Sequence, residues 1–571
     1  MKVIRLLLVF SAAAAAVIIF VVYGLGSRRG MSSYEPIYDH RLPQSAKELV
    51  AVQQRGQQQQ QQQQQPNTAP IIALPSTPLI EIDTKTETSA KRSFWSVSNT
   101  RIYEDRPFHV TVTTRDTQGN KKTHGGDFII ATLVREKSRG VESASVSGVV
   151  SDLNNGSYVI TFVCPWSGTA TIVVKMWLTD RIVQICRSHL DANYAFLCTF
   201  GDSLGINVNF HGEMKREDLL RVQSMKAKRQ GLGICHMDAQ PNIPWRSDKT
   251  CEMRFPSKYH WYGVCDGPRA GQSKECVPVQ WCVYDDSMKA RNKKESKESS
   301  NAGIIYGNTK SVTIIKGDRS EGKASGIEPC KPQPVVRPKG YWLGKQWINT
   351  DCLFSCNTIE KWRDCLSGKD LYLIGASTFR QLYTSVLEGF GVRMPWLFIP
   401  SWDFNKFFKQ YNASVRYRTH GLPQMTKTAM NFSASVFTAD HIDKLEGNGN
   451  EIVVISLVHH FVDLTPDGFR KRMEDILDAI RRLKRRNKGN KIPIVFRADN
   501  GRSFDSFHIN AFRIRWYNQI ATDVIKAANL GIIVYDIFDM VAACPNPEPV
   551  HQADYVTSVQ VSHILSLVCS N

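Results

Sequence analysis

No cysteine appears before Cys164, and none of the chain's fourteen stands in a paired Cys-x-x-Cys knuckle. Zinc ribbons are built from such knuckles, so their absence argues against one. Cys352, Cys356 and Cys365 lie close together, but no histidine completes a ligand set with them, and no metal site is expected. An even number of cysteines confined to the later chain reads as a disulfide framework from an oxidising compartment, with its connectivity open. Acidic residues are also in deficit: 53 Asp and Glu face 72 Lys and Arg, a formal charge of +19. Such an excess could suit nucleic acid. The densest basic run, Arg481-Arg-Leu-Lys-Arg-Arg, instead ends a helical pattern that starts near Thr465-Pro466-Asp467 and has Phe469, Met473, Ile476, Leu477, Ile480 and Leu483 on one face. Cations there complement the helix dipole and Gly489 offers a stop, so the run reads as a solvated helix end. No nucleic-acid partner is expected.

Charge is missing altogether from Leu6 to Leu25, about twenty residues and enough for a helix across roughly 30 Å of hydrocarbon. Lys2 and Arg5 precede this run and Arg28 and Arg29 follow it, so flanking charge does not decide its orientation. Its length favours an uncleaved anchor over a cleaved signal peptide, which has a shorter apolar region. Either reading delivers the rest of the chain to the lumen, as a single-pass type II protein or as a secreted one. The sequons Asn155-Gly-Ser, Asn412-Ala-Ser and Asn431-Phe-Ser agree with a glycoprotein of that compartment.

At 571 residues the chain should divide into several domains. Residues 1–29 hold the anchor or signal, and 30–90 read as a disordered stalk with an unbroken glutamine tract from Gln57 to Gln65 and a Pro-rich continuation. Short alternating runs across 91–180, such as Phe108-His-Val-Thr-Val-Thr-Thr and Tyr158-Val-Ile-Thr-Phe-Val, predict an immunoglobulin-like β-sandwich. Eight cysteines fall in 181–337, which reads as a disulfide-braced module. Beyond residue 338, apolar runs at Asp370–Ile374, Glu451–Leu457, Lys491–Phe496 and Gly531–Ile537 alternate with helical patterns, predicting a parallel α/β sheet. Active sites in such sheets form at the carboxyl ends of strands.

Ser377 stands where the strand at 370–374 turns into a helix, a place where backbone N–H groups face negative charge. That suits a nucleophile, and equally a routine helix cap. A serine needs a base, and the base an orienting acceptor. Glu548-Pro-Val-His551 offers both on one loop, while Asp554 and His563, on a helical pattern, form an alternative pair.

Gly375-Ala-Ser-Thr-Phe-Arg-Gln381 resembles the opening block of PC-esterase domains, a branch of the SGNH hydrolase superfamily. Gly340-Tyr-Trp-Leu, Trp347, Cys352 and Cys365-Leu-Ser-Gly-Lys resemble the lead-in to that domain, and Val550-His551 with Cys569 its closing block. With the sandwich and the cysteine-rich module ahead of it, the chain resembles the neurexophilin and PC-esterase domain (NXPE) family. The resemblance implies a neurexophilin-like module at 181–337 and an SGNH-like domain at 338–571. It also implies a glycoprotein of the Golgi or cell surface that acts as a glycan O-acyltransferase or esterase, with acetyl-CoA as acyl donor and a glycan or glycoprotein as acceptor. Under it Ser377 is the nucleophile, His551 the base and Glu548 its orienting carboxylate, with Gly375, Arg380 and His460 as oxyanion or supporting groups. Ala376 replaces the block's Asp, and Val458 in Ser456-Leu-Val-His-His460 replaces a Gly, leaving His459 or His460 as substitute donors. Losing one oxyanion donor costs roughly 3 kcal/mol. These departures also fit a degenerate esterase that serves as an extracellular binding or adhesion protein.

Overall fold

The computed structural model describes residues 84–97, 101–188, 194–200, 204–210, 264–265, 276–277, 279–284, 301–309, 311–317, 328–394, 403–420, 430–431, 436–462, 466–487, 491–501, 510–545 and 550–569. All of them belong to one compact unit, Leu79–Asn571. Among them no helix is long and apolar enough to cross a membrane. The Leu6–Leu25 run, the glutamine tract and most of 211–300 lie outside the described residues, as does Glu548.

A β-rich region opens the described chain. Strands alternate buried and open positions, as a period of two requires: Phe108, Val110 and Val112 of Pro107–Thr113 face inward, as do Tyr158, Ile160 and Phe162 of Ser157–Val163. These two strands pair antiparallel, bringing Phe108 opposite Phe162 with ring centroids 5.5 Å apart. The pairings connect twelve strands into one sheet, ten of them along a single path. That path reaches well beyond residue 180. Gly303–Gly307 bridges Gly168–Leu178 and Phe94–Val97, and the hairpin Gly340–Leu343 with Gln346–Asn349 pairs through its first strand with Ala144–Ser147. The Trp-bearing lead-in at 340–349 is therefore part of the β-rich region's sheet.

The C-terminal part is α/β. Seven strands, β1 (Val335–Val336), β2 (Asp370–Ile374), β3 (Phe404–Phe408), β4 (Ala413–Arg418), β5 (Glu451–Ile455), β6 (Ile494–Ala498) and β7 (Ile533–Asp536), lie in the order β1-β7-β6-β5-β2-β4-β3. All neighbours pair parallel except the edge strand β3. The five strands from β4 to β7 follow the doubly wound order second, first, third, fourth, fifth. Both faces are covered by helices, which explains the near-continuous apolar composition of β5 and β6. On one face α2 (Pro466–Arg486) buries Phe469, Met473, Ile476, Leu477, Ile480 and Leu483, and α3 (Ala511–Ala528) buries Ile514, Tyr517 and Ile520. On the other, α1 (Ser377–Gly389) and α4 (Asp554–Cys569) contribute Phe379, Leu382, Val386, Ile564 and Leu565.

Two disulfides are formed among the described residues, Cys330–Cys352 and Cys365–Cys569. Cys164, Cys186, Cys356 and Cys544 are buried thiols, so the expected framework does not take up every cysteine. Contacts join the two regions: the Trp342 indole donates to Met540 O at 2.8 Å, and Ser145 Oγ donates to Ala543 O at 2.5 Å.

Candidate active site

The order of the strands creates a topological switch between β2 and β5, and in open α/β sheets ligands bind beyond the carboxyl ends at that point. Ser377 opens α1 there, three residues after β2 ends. Gly375 makes the turn possible. A Cβ on it would come within 2.7 Å of the Phe379 ring and 2.9 Å of Ser456 O. Its own amide donates to Arg418 O, so that amide is not available to an oxyanion.

Ala376 occupies the N-cap of α1 and brings no side chain to cap the helix. Of the first-turn amides, those of Phe379 and Arg380 both donate to Ala376 O, and those of Ser377 and Thr378 are left at the positive end of the helix dipole. Ser377 is half-buried.

His551 comes from the loop just before α4, and its Nε2 lies 2.7 Å from Ser377 Oγ. Two contacts hold that loop and the start of α4 against α1. Gln381 Nε2 donates to Gln552 O at 2.8 Å, and Ser385 Oγ lies 3.1 Å from Ser558 Oγ. Residues 174 positions apart are thus fixed side by side. Cys365–Cys569 fastens the far end of α4.

The alternative pair is not assembled. His563 is buried, stacks on Phe354 with centroids 3.6 Å apart, and shares a 2.8 Å hydrogen bond with the Tyr535 hydroxyl through Nδ1. Burial pushes its imidazole down to about 3, so it stays neutral, while Asp554 is exposed in the first turn of α4.

The segment after β5 lies beside Ser377's turn, because Ser456 N donates to Ile374 O. Val458 is fully buried and starts a short helix, Val458–Phe461. His459 is committed elsewhere. Its amide donates to Asp499 Oδ2 at 2.8 Å, and its Nε2 lies 3.0 Å from Asn500 O, a carbonyl that can only accept, so that nitrogen carries the proton. His460 is 9% exposed, and its Nδ1 lies 2.8 Å from Nε2 of His420, a residue that follows β4. The imidazole pair therefore stands at the carboxyl ends of strands on both sides of β2. Arg380 is half-buried in the first turn of α1, where burial lowers its pKa against the influence of Tyr417.

Beneath the turn lies a polar cluster. Arg497 of β6 pairs with Asp499 and donates to Thr378 Oγ1 at 3.1 Å, Ser456 Oγ at 3.2 Å and Gln560 Oε1 at 2.9 Å. Burial opposes the charge on Asp499, but the His459 ring, the Arg497 guanidinium, the Ser456 hydroxyl and the His459 amide together hold its carboxyl below the ordinary range.

Residues 347–569 match the family model described as NXPE family member 4-like, C-terminal domain. The C-terminal part of this chain belongs to the NXPE family. A PC-esterase-like, SGNH-type domain is consistent with that membership. Two solved structures are similar over 16% of the chain: the Lin-41 filamin domain, at 18% identity over 81% of that chain with TM-score 0.13, and FdeC, an Escherichia coli adhesin, at 24% identity over 27% of that chain with TM-score 0.13. TM-scores that low carry no argument about the fold of the β-rich region. Of the residues the sequence singled out, Ser377 and His551 are brought together, while nothing in the sequence signalled Gln381's hold on the His551 loop, the His420 partner of His460 or the Arg497–Asp499 pair. The NXPE domain's opening block does contain Gln381, but nothing in its local pattern says which chain segment that amide meets.

Proposed function

We propose that this NXPE domain is a serine-dependent acyl-transfer catalyst acting on glycans in the lumen of the secretory pathway, with the Leu6–Leu25 run as its membrane anchor. The 2.7 Å contact between Ser377 Oγ and His551 Nε2 carries the reading. In the first half-reaction His551 takes the Ser377 proton as the oxygen adds to the carbonyl carbon of an acyl ester or thioester, such as acetyl-CoA. The amides of Ser377 and Thr378 at the start of α1 stabilise the oxyanion. His551 then protonates the departing alcohol or thiol, and the acyl group remains on Ser377. In the second half a sugar hydroxyl gives its proton to His551 and attacks the acyl-serine, releasing the O-acylated glycan and restoring the serine. Water in place of the sugar gives an esterase. Glu548 serves as the orienting carboxylate in this scheme, with His460 at the oxyanion's side of the site.

Two further features support a lumenal glycoprotein. The disulfides are formed, and Asn155 and Asn412 are exposed on turns where an oligosaccharide has room. The third sequon residue, Asn431, has its side chain outside the described residues.

The test is isotopically labelled acetyl-CoA supplied to the purified full-length chain with a panel of sialylated and neutral glycans, and Ser377→Ala alongside. Label reaching a glycan with the wild type and not with the variant supports the transferase. Release of acetate alone makes it an esterase. Neither reaction, from a chain that is folded and tested across the panel and with simple activated esters, returns the protein to the binding and adhesion reading.

A further inference from the structure

We propose that the buried Arg497–Asp499 pair is a positioning device for Ser377, working through Thr378. The proposal rests on the serine–histidine reading above. Ile494, Val495, Phe496 and Ala498 around Arg497 are all buried, and Arg497 and Asp499 are themselves 1% and 2% exposed. A buried ion pair at such a place carries a desolvation cost that an apolar residue would avoid, so stability alone does not account for it.

What the pair does show is reach. Thr378, which takes a hydrogen bond from the guanidinium, is the next residue after Ser377 in the first turn of α1. Ser456 and the His459 amide belong to the segment after β5, Asn518 to α3, and Gln560 to α4, the helix that follows His551. Asn518 holds Asp499 twice, through its carbonyl oxygen to the Asp499 amide at 2.9 Å and through its amide nitrogen to Asp499 O at 2.7 Å. Phe379 lies against the guanidinium at 5.1 Å and limits its movement. One planar cation with fixed donor directions thus sets the nucleophile's turn against the neighbouring loop and the base's helix. Its effect on chemistry would be on the angle of Ser377 and its amides towards His551, where small displacements matter.

The experiment uses a thiol at the serine position, because its reactivity is readable without a substrate. Ser377→Cys in the full-length chain is alkylated with iodoacetamide across a pH series, and labelling of the wild type is subtracted to remove the native thiols. Beside an imidazole at hydrogen-bond distance, the introduced thiol should titrate clearly below the ordinary value of about 8.5. Adding Thr378→Val, which deletes the guanidinium's acceptor at nearly constant shape, should raise that midpoint by about one pH unit, and Thr378→Ser should restore it. A purely structural threonine would lower Tm in the valine variant and leave the midpoint in place, and that result would overturn the proposal. A thiol titrating at about 8.5 in Ser377→Cys alone would sink the serine–histidine reading, and this inference with it. If Thr378→Val does not fold, Thr378→Ala removes the same hydroxyl without adding a methyl beside Arg497 and is read in the same way.

Discussion

Asp499 in the α/β region is buried and Asp127 in the β-rich region is half-buried, and their pKa values move in opposite directions. Asp499 meets His459, Arg497 and Ser456, and its carboxyl is held below the ordinary range in spite of burial. Asp127 sits at the root of the helix Asp180–Ser188, with a hydrogen bond from the Tyr158 hydroxyl at 2.9 Å and one from the Asp180 amide at 2.7 Å. Burial and the neighbouring Asp180 charge raise it from 3.8 to about 7. Lys122 is taken by Asp180 at 2.6 Å, and nearby Glu87 is also raised, mainly by burial. Desolvation acts on both aspartates, so the identity of the partner decides the sign. In the α/β domain a cation, Arg497, is brought to the carboxylate from two positions back along the chain. In the β-rich region a second carboxylate, Asp180, is brought instead. Under the proposed function, the contrast goes with a division in which the chemistry belongs to the α/β region and the β-rich region supports it.

The largest test of that division is Ser377→Ala. It should cut turnover of an activated ester by about a thousandfold or more, and leave Tm nearly unchanged. Equal loss from a variant confined to the β-rich region and distant from the site would break the division. Next in size is Asp499→Asn, which leaves Arg497 buried with a neutral partner and should cost about 3–5 kcal/mol in denaturant unfolding. The same group sets an acid limit. Its folded pKa is depressed, so its contribution to stability is complete above the unfolded value of 3.8 and is lost as pH falls through the lower folded value.

Asp127 reverses that sign. The folded protein keeps a proton that the unfolded chain gives up, so this group's share of stability is full below about 4 and is lost as pH rises towards about 7. Asp127→Asn should flatten the slope over that window, a change of about 4 kcal/mol between its ends. Unfolding measured at several pH values would show it. A slope that survives the substitution would assign it to Glu87 or another acid.

How much of this was readable in advance depends on whether the signal is local. The strand–turn–helix at Asp370–Gly389 declares itself through an apolar run followed by small residues, and the inward face of α2 through its helical period. Pairings across the chain leave no such mark. Gly340–Leu343 reads as the lead-in to the α/β domain, but Trp342 lies opposite Ser145 in the other region's sheet, because strand partners are chosen by tertiary packing. Arg497 is equally silent. An arginine in Ile-Val-Phe-Arg-Ala looks like a solvent-facing residue until Asp499, two positions on, and Thr378, 119 positions back, are seen around it. His563 shows the reverse case, a residue of catalytic type on a helical pattern that packing has turned into a neutral core residue.

The smallest predicted effect concerns Gln381, and it sharpens the comparison most finely. Its amide nitrogen reaches Gln552 O, the carbonyl next to His551, from one turn along the nucleophile's own helix. Gln381→Leu keeps the volume and removes the donor, at a cost of about 1 kcal/mol in stability. Because the lost bond steadies the base loop and touches no substrate, kcat should fall by about fivefold to tenfold with KM little changed. Gln381→Glu tests the same bond by a different route. An ionised carboxylate accepts only, so it faces the Gln552 carbonyl with no proton to donate and should do at least as much damage as leucine. A rise in KM with kcat preserved would place Gln381 in acceptor or donor binding, and the base loop would then owe its position to Cys365–Cys569 and the packing of α4 on α1.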